Sequence, residues 1–148
     1  MHRSESEEIK VIEDIIVRQF ASLTWTAGSG GNWDAFAGDF FAEAALYPAA
    51  RPAKRQDVGA FIERMKGLQA TSLKSLRERL LGTDIRIFGN VATAVAACEI
   101  TENDTTVNRG VEMLLLIKSE GQWRIVAQAW DSETPERRIP THLLETHA

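Results

Sequence analysis

Asn108-Arg-Gly-Val-Glu-Met-Leu-Leu-Leu-Ile-Lys-Ser-Glu-Gly-Gln-Trp-Arg-Ile-Val-Ala-Gln-Ala-Trp130 is the stretch whose reading decides the fold. Two apolar runs flank Ser119-Glu120-Gly121-Gln122, and a glycine-containing turn between such runs is a hairpin signal. The stretch therefore predicts two long antiparallel strands, most of whose side chains are core. Residues 113–117 are apolar without interruption, which predicts a central strand or one covered on both faces. The second strand alternates less cleanly and ends at Trp130.

Upstream, residues 91–100 read as an Ala- and Val-rich strand, and Gly89-Asn90 as the turn before it. Four alanines and Cys98 there predict close packing or the floor of a cavity. Residues 73–81 fit either a helix or a strand. The reading adopted is a strand from Leu76 to Phe88, bent or bulged at Gly82, with Leu76, Glu78 and Leu80 sharing one face. Helices come earlier. Ile9, Ile12, Ile16, Phe20 and Leu23 recur at helical spacing, predicting a helix over 6–26 capped by Ser4 or Ser6. Trp25 sits at its end. A short helix over 33–41 follows, capped by Asn32, then a strand at 44–47 stopped by Pro48. Asp57 caps a third helix running to Leu68. Helices first and then a meander of long strands predict an α+β fold: a curved, mainly antiparallel sheet packed against N-terminal helices as a cone-like barrel. Residues 5–134 read as one domain, and 135–148 as a C-terminal tail.

Composition narrows the function classes. In 148 residues, 17 Lys and Arg face 21 Asp and Glu, a formal net charge of -4, which argues against a broad nucleic-acid surface. No apolar run approaches the roughly eighteen residues of a membrane span. One cysteine cannot make an internal disulfide, and residues 1–8 lack an apolar signal core, so a cytoplasmic location is expected. Gly28, Gly30 and Gly31 lack the Lys-Ser/Thr and preceding strand of a phosphate loop. The histidines, His2, His142 and His147, sit at the ends, and metal-ligand spacings are absent. Neither metal nor cofactor is expected. Arg51, Lys54 and Arg55 form either a solvated loop or an anion-binding rim.

Three stretches resemble the nuclear transport factor 2-like superfamily, including its SnoaL-like proteins. They are Trp33-Asp34-Ala35-Phe36 with Phe41-Ala42-Glu43-Ala44-Ala45-Leu46-Tyr47, Ile87-Phe88-Gly89-Asn90-Val91-Ala92, and Gly121-Gln122-Trp123-Arg124-Ile125. The resemblance covers residues 7–131. It implies a pocket between the curved sheet and the helices, and a homodimer formed through the outer sheet face. Members include isomerases, dehydratases, epoxide hydrolases, polyketide cyclases and noncatalytic binding proteins. Their catalytic residues carry over poorly. Where the ketosteroid isomerase-like members have a helical tyrosine, this chain has Phe20; where they have an aspartate base, it has Ala49 or Ala50. Their protonated acid falls near Glu112 or Met113. The epoxide hydrolase pattern needs a carboxylate two residues after Arg109, where Val111 stands; Asp131 keeps one member of that set.

Glu112 interrupts an apolar strand and is the strongest candidate for acid–base chemistry, because a carboxyl facing an apolar cavity has a raised pKa. Its competing role is on the outer face, or paired with Arg109 or Arg124. Arg109 and Tyr47 are candidates to steady developing oxygen charge. Arg109 and Glu112 lie three apart, hence on opposite faces unless Gly110 bulges. Trp25, Glu99, Gln128, Trp130 and Asp131 are the candidate ligand-binding residues. The expected function is binding of a small, largely apolar or aromatic molecule, as a cofactor-independent lyase, isomerase or cyclase. The alternative is a noncatalytic ligand-binding or homodimeric assembly domain.

Overall fold

The computed structural model describes residues 3–144. Its elements run α1 (Glu5–Ser22), α2 (Trp33–Gly38), β1 (Phe40–Tyr47), α3 (Val58–Gln69), β2 (Leu76–Phe88), β3 (Val91–Glu102), β4 (Thr106–Ser119) and β5 (Gln122–Ser132). A single 3-10 turn, Thr141–Leu143, follows. The five strands form one sheet in the order β1-β5-β4-β3-β2. Neighbours are antiparallel except β1, which lies parallel to β5. The edge strands β1 and β2 do not pair with each other, so the cone is open and the helices cover its inner face. This is the expected α+β cone. No described helix is long and apolar enough to cross a membrane.

Local chemistry sets the boundaries. Ser4 caps α1 in a reciprocal capping box with Glu7, satisfying two backbone donors at the helix start. The helix stops four residues before its expected end. Trp25 leaves it to exchange both backbone hydrogen bonds with Leu76, at 2.9 Å each, and so extends the edge of β2. Helix α2 is likewise shorter than expected. Asp39 accepts a backbone bond from Ile125 at 2.9 Å, which draws Phe40 and Phe41 into β1 instead. Asp57 caps α3 as the sequence predicts, accepting from the Ala60 amide at 2.7 Å.

The β2 reading holds over its whole length, including a register shift between Leu80 and Gly82. The hairpin turn sits at Glu120-Gly121, with φ of 53° and 78°. These positive values are the left-handed conformation that two-residue hairpin turns require. Along β4 the register to β3 is unbroken, so Gly110, Glu112, Leu114 and Leu116 share the inner face. Met113 and Leu115 then face outward and are exposed, so the apolar run is central in the sheet but bare on one side within this chain. A second register shift falls between Leu115 and Leu116, where Val126 of β5 is the extra residue. It reverses the parity of β5. Trp123 and Ile125 face inward before it, and Gln128 and Trp130 face inward after it.

Two apolar clusters result. The main one joins the inner sheet face to Ile12, Ile16 and Phe20 of α1, Phe36 of α2 and Phe61 of α3. The second lies on the outer face, where Ile139 and Leu143 from the C-terminal segment cover Ala97 and pack with Val95 and Val111. The C-terminal segment therefore contributes to the core of the described chain.

Candidate functional site

The inner sheet face and the helices enclose a cavity of about 270 Å³. Its apolar walls are mainly aliphatic, with three aromatic rings, Phe36, Phe61 and Trp130. Phe36 and Phe61 stack at 5.3 Å between ring centroids, and Trp130 meets Phe61 edge-on at 5.6 Å. Its polar or nucleophilic lining includes Gln19 from α1, Glu78 from β2, Cys98 from β3, Glu112 from β4 and Gln128 from β5. Strand parity places the latter four on the inner face of the neighbouring strands β2, β3, β4 and β5, and α1 brings Gln19 against them.

The hydrogen bonds among them are directional. Gln19 Nε2 donates to Gln128 Oε1 at 2.7 Å, and Gln128 Nε2 donates back to Gln19 Oε1 at 2.9 Å. Gln128 Nε2 also donates to Glu112 Oε1. An amide nitrogen has two hydrogens, so both are committed. Glu112 Oε1 must therefore remain an acceptor, and when Glu112 is neutral its proton belongs on Oε2. That oxygen lies 3.8 Å from Cys98 Sγ. Glu78 is half-buried, but its Oε2 is shielded from solvent and meets no hydrogen-bond donor among the described residues.

Both carboxyls are shifted toward neutrality. Burial pushes Glu112 up to about 7, against the opposing bonds from Gln128 and Cys98. Burial also raises Glu78 well above the usual carboxylate range, and the negative charge of Glu112 raises it further. Two like charges in one low-dielectric site disfavour joint ionisation, so the protons leave the pair in coupled steps. Burial raises the Cys98 thiol as well, with Glu112 and Glu78 adding to it, which makes Cys98 a poor thiolate source. Among the described residues, no ion pair reaches Glu78 or Glu112, and no three His, Cys, Asp or Glu side chains form a metal-holding group.

The expected site residues separate into three groups. Glu112, Gln128 and Trp130 line the cavity together. Arg109 and Asp131 stand at its rim, and their charges are engaged elsewhere. Arg109 Nε donates to Glu99 Oε2 at 3.0 Å, while Asp131 Oδ1 accepts from Arg137 at 3.2 Å. Glu99 is on the outer side, held between Arg79 and Arg109; those two bonds outweigh its burial and lower its pKa. Gly110 makes no bulge against β3, so Arg109 and Glu112 do diverge. A Cβ on Gly110 would meet the Asp131 carbonyl oxygen at 2.6 Å, so close approach to β5 explains this glycine.

Tyr47 and Trp25 lie apart from Glu112. Tyr47 is exposed on the outer sheet face beside Met113, Leu115 and Ala129, so its hydroxyl cannot serve the inner cavity. Trp25 is buried in the core and donates its indole N–H to the Leu73 carbonyl at 3.3 Å, outside the cavity lining. Of the basic cluster, Arg51 donates to the carbonyls of Pro48, Ala49 and Ala50, and Arg55 to that of Glu43. These loop carbonyls take up the two guanidinium groups.

Glu78, Gln19 and Cys98 are absent from the expected site set, as are Arg64, Glu102, Asn108 and Ser132 of the same lining. Glu78 carried a usable signal, because Leu76 and Leu80 flank it at strand spacing and both face the core. Gln19 carried one as well, because it lies three residues after Ile16 and four before Leu23, a polar residue on the apolar stripe of α1.

A second cavity, about 580 Å³, lies on the outer face under the C-terminal segment, over Val95, Val111 and Met113. It is larger, but most of its charged side chains are held by partners: Arg137 pairs with Asp131, Arg138 with Glu133, and Arg51 donates to loop carbonyls. The inner cavity alone combines an apolar wall with uncompensated carboxyls, and we take it as the candidate site.

A family model described as "Putative lumazine-binding" matches residues 10–131. No curated protein matches the chain. Solved structures resemble it widely in fold. One is an NTF2-like protein of unknown function from Shewanella baltica OS155, with a TM-score of 0.66 and 12% identity over 90% of this chain and 99% of that one. A second, from Novosphingobium aromaticivorans, is named a putative aromatic ring hydroxylase; its TM-score is 0.71 at 15% identity, over 90% of this chain and 94% of that one. A third, from the same organism, is named a putative scytalone dehydratase, with a TM-score of 0.70 and 12% identity over 87% of this chain and 86% of that one. At such identities these likenesses establish the fold and not the reaction. The family match covers most of the chain: this chain belongs to the putative lumazine-binding family, and its fold is that of the NTF2-like structures.

Proposed function

We propose that the inner cavity binds a small, largely apolar or aromatic molecule and transfers a proton on it without a cofactor, as a lyase, isomerase or cyclase does. The observation that carries this reading is the Glu78–Glu112 pair: two carboxyls in one largely apolar cavity, neither paired with a cation among the described residues. Glu112 is the base. Its raised pKa places it near neutrality, where a base is both largely available and strong enough to take a proton. Glu78, held protonated, is the acid that returns a proton to a developing oxygen anion. The transferred protons balance: Glu112 gains one as Glu78 loses one. Gln128 keeps Glu112 Oε1 as an acceptor, so Oε2 is the oxygen that moves the proton. Arg109 and Tyr47 have no part in this scheme, because Glu99 holds the first and the sheet separates the second from the cavity. The name of one similar structure, an aromatic ring hydroxylase, agrees with an aromatic ligand class.

The test is native mass spectrometry of the purified protein to identify a retained ligand, followed by deuterium wash-in to that ligand. Incorporation by the wild type that is lost in Glu112→Gln supports the reading. Incorporation unchanged in Glu112→Gln refutes it.

The exposed outer-face residues Met113, Leu115 and Tyr47 favour a second reading that is compatible with the first: a homodimer joined through this face. Sedimentation analysis distinguishes a dimer from a monomer.

A further inference from the structure

We infer that the inner cavity selects a ring-bearing organic ammonium and rejects carboxylates and phosphates. The inference rests on the reading of this cavity as a small-molecule site, and it comes from an account of donors and acceptors. Glu78 Oε2 is buried without a donor. Glu112 Oε2 has only the weak thiol donor of Cys98, at 3.8 Å. Both oxygens belong to carboxyls lining the same space. An oxygen left without donors in a low-dielectric site favours a ligand that brings them.

Apart from the proton on neutral Glu78, the cavity offers an anion little in return. Gln128 has committed both amide hydrogens, and Gln19 has committed one of its two. The cations lining the opening are Arg64, exposed on α3, and Arg109. Arg109 is bound to Glu99, and no ion pair joins either arginine to Glu78 or Glu112 among the described residues. An entering carboxylate or phosphate would therefore confront two carboxyls that, among the described residues, no cation pairs with. An ammonium group supplies three donors and a charge of the sign the pair lacks. The contiguous rings of Phe36, Phe61 and Trp130 supply apolar burial and cation–π attraction for the rest of the molecule. Binding a cation also favours ionised Glu112, so complex formation near neutral pH must release protons.

Calorimetry with phenethylamine, phenethyl alcohol and hydrocinnamate tests this, because the three share a ring and arm and differ in the head group. At pH 7 the ammonium is expected to bind at least about tenfold more tightly than the alcohol, with no measurable binding of the carboxylate. The heat for the ammonium should vary with the ionisation enthalpy of the buffer in the direction of proton release. Glu112→Gln and Glu78→Gln, singly, should erase the ammonium's advantage over the alcohol. If either variant fails to fold, the wild-type ranking decides the question. Equal or tighter binding of the alcohol or carboxylate overturns the inference and leaves the small-molecule reading standing. Absence of binding by all three overturns both.

Discussion

Gln128 of β5 donates to Glu112 of β4 from the same amide nitrogen that donates to Gln19 of α1. One side chain thus ties the first helix to the carboxyl at the bottom of the cavity. The tie constrains both the position of Glu112 and the oxygen that can carry its proton.

The first prediction concerns pH. The folded pKa of Glu112 is raised from 4.5 to about 7. Between these values the folded chain holds a proton that the unfolded chain has released. Its stabilising contribution is therefore fully present below about pH 4.5 and is lost as pH rises through about 7. The loss is on the order of 3 kcal/mol at most, because coupling to Glu78 spreads the titration. Glu112→Gln mimics the neutral form and should be more stable than the wild type at pH 8, with the difference vanishing toward pH 4. Urea unfolding of both proteins across this range measures it; an equal pH response in the two would refute the assignment.

Removing the tie should cost more than the bond it contains. Gln128→Leu leaves the Gln19 amide without its partner and Glu112 Oε1 without its donor. A buried group stranded in this way costs about 1–3 kcal/mol each, so a loss of roughly 2–4 kcal/mol is expected in denaturant unfolding. Since the Gln128 bond lowers the Glu112 pKa, the variant should also titrate at higher pH. Carbon-13 chemical shifts of the Glu112 carboxyl would follow that change.

A third prediction addresses the outer sheet face. Met113 is 60% exposed and Leu115 43%, unusual values for apolar residues on a central strand. Burial between two copies would remove that surface from water. Met113→Lys should convert a dimer to a monomer in sedimentation velocity, with an unchanged far-ultraviolet spectrum. A wild type that sediments as a monomer at high concentration would rule out this interface.

The C-terminal segment gives the fourth. Leu143 is 1% exposed and packs with Ile139 against Ala97 on the outer face. Leu143→Ala should destabilise the fold by about 2–3 kcal/mol, the lower part of the range for buried leucine truncation, because the cluster is small. A change below about 0.5 kcal/mol would show that this segment is not part of the cooperative unit.

The sequence by itself determined most of the element order. Alternation, glycine turns and caps are local signals, so the β4–β5 hairpin, the bulge at Gly82 and the Asp57 cap were all legible. It also pointed to Glu112, as a charge inside an apolar run. It misjudged the ends of α1 and α2, because Trp25 and Phe40 are held in extended backbone by partners far along the chain, Leu76 and Ile125. Tertiary structure alone decided which residues meet. Val126, the extra residue in β5, turns Gln128 inward, and that shift exists only in its register with β4. Glu78 and Glu112 are 34 positions apart, on strands separated by β3. A residue's identity sets what chemistry it can do, but strand parity and pairing set which side chains share a cavity. Burial in that shared space then moves both carboxyls toward neutrality.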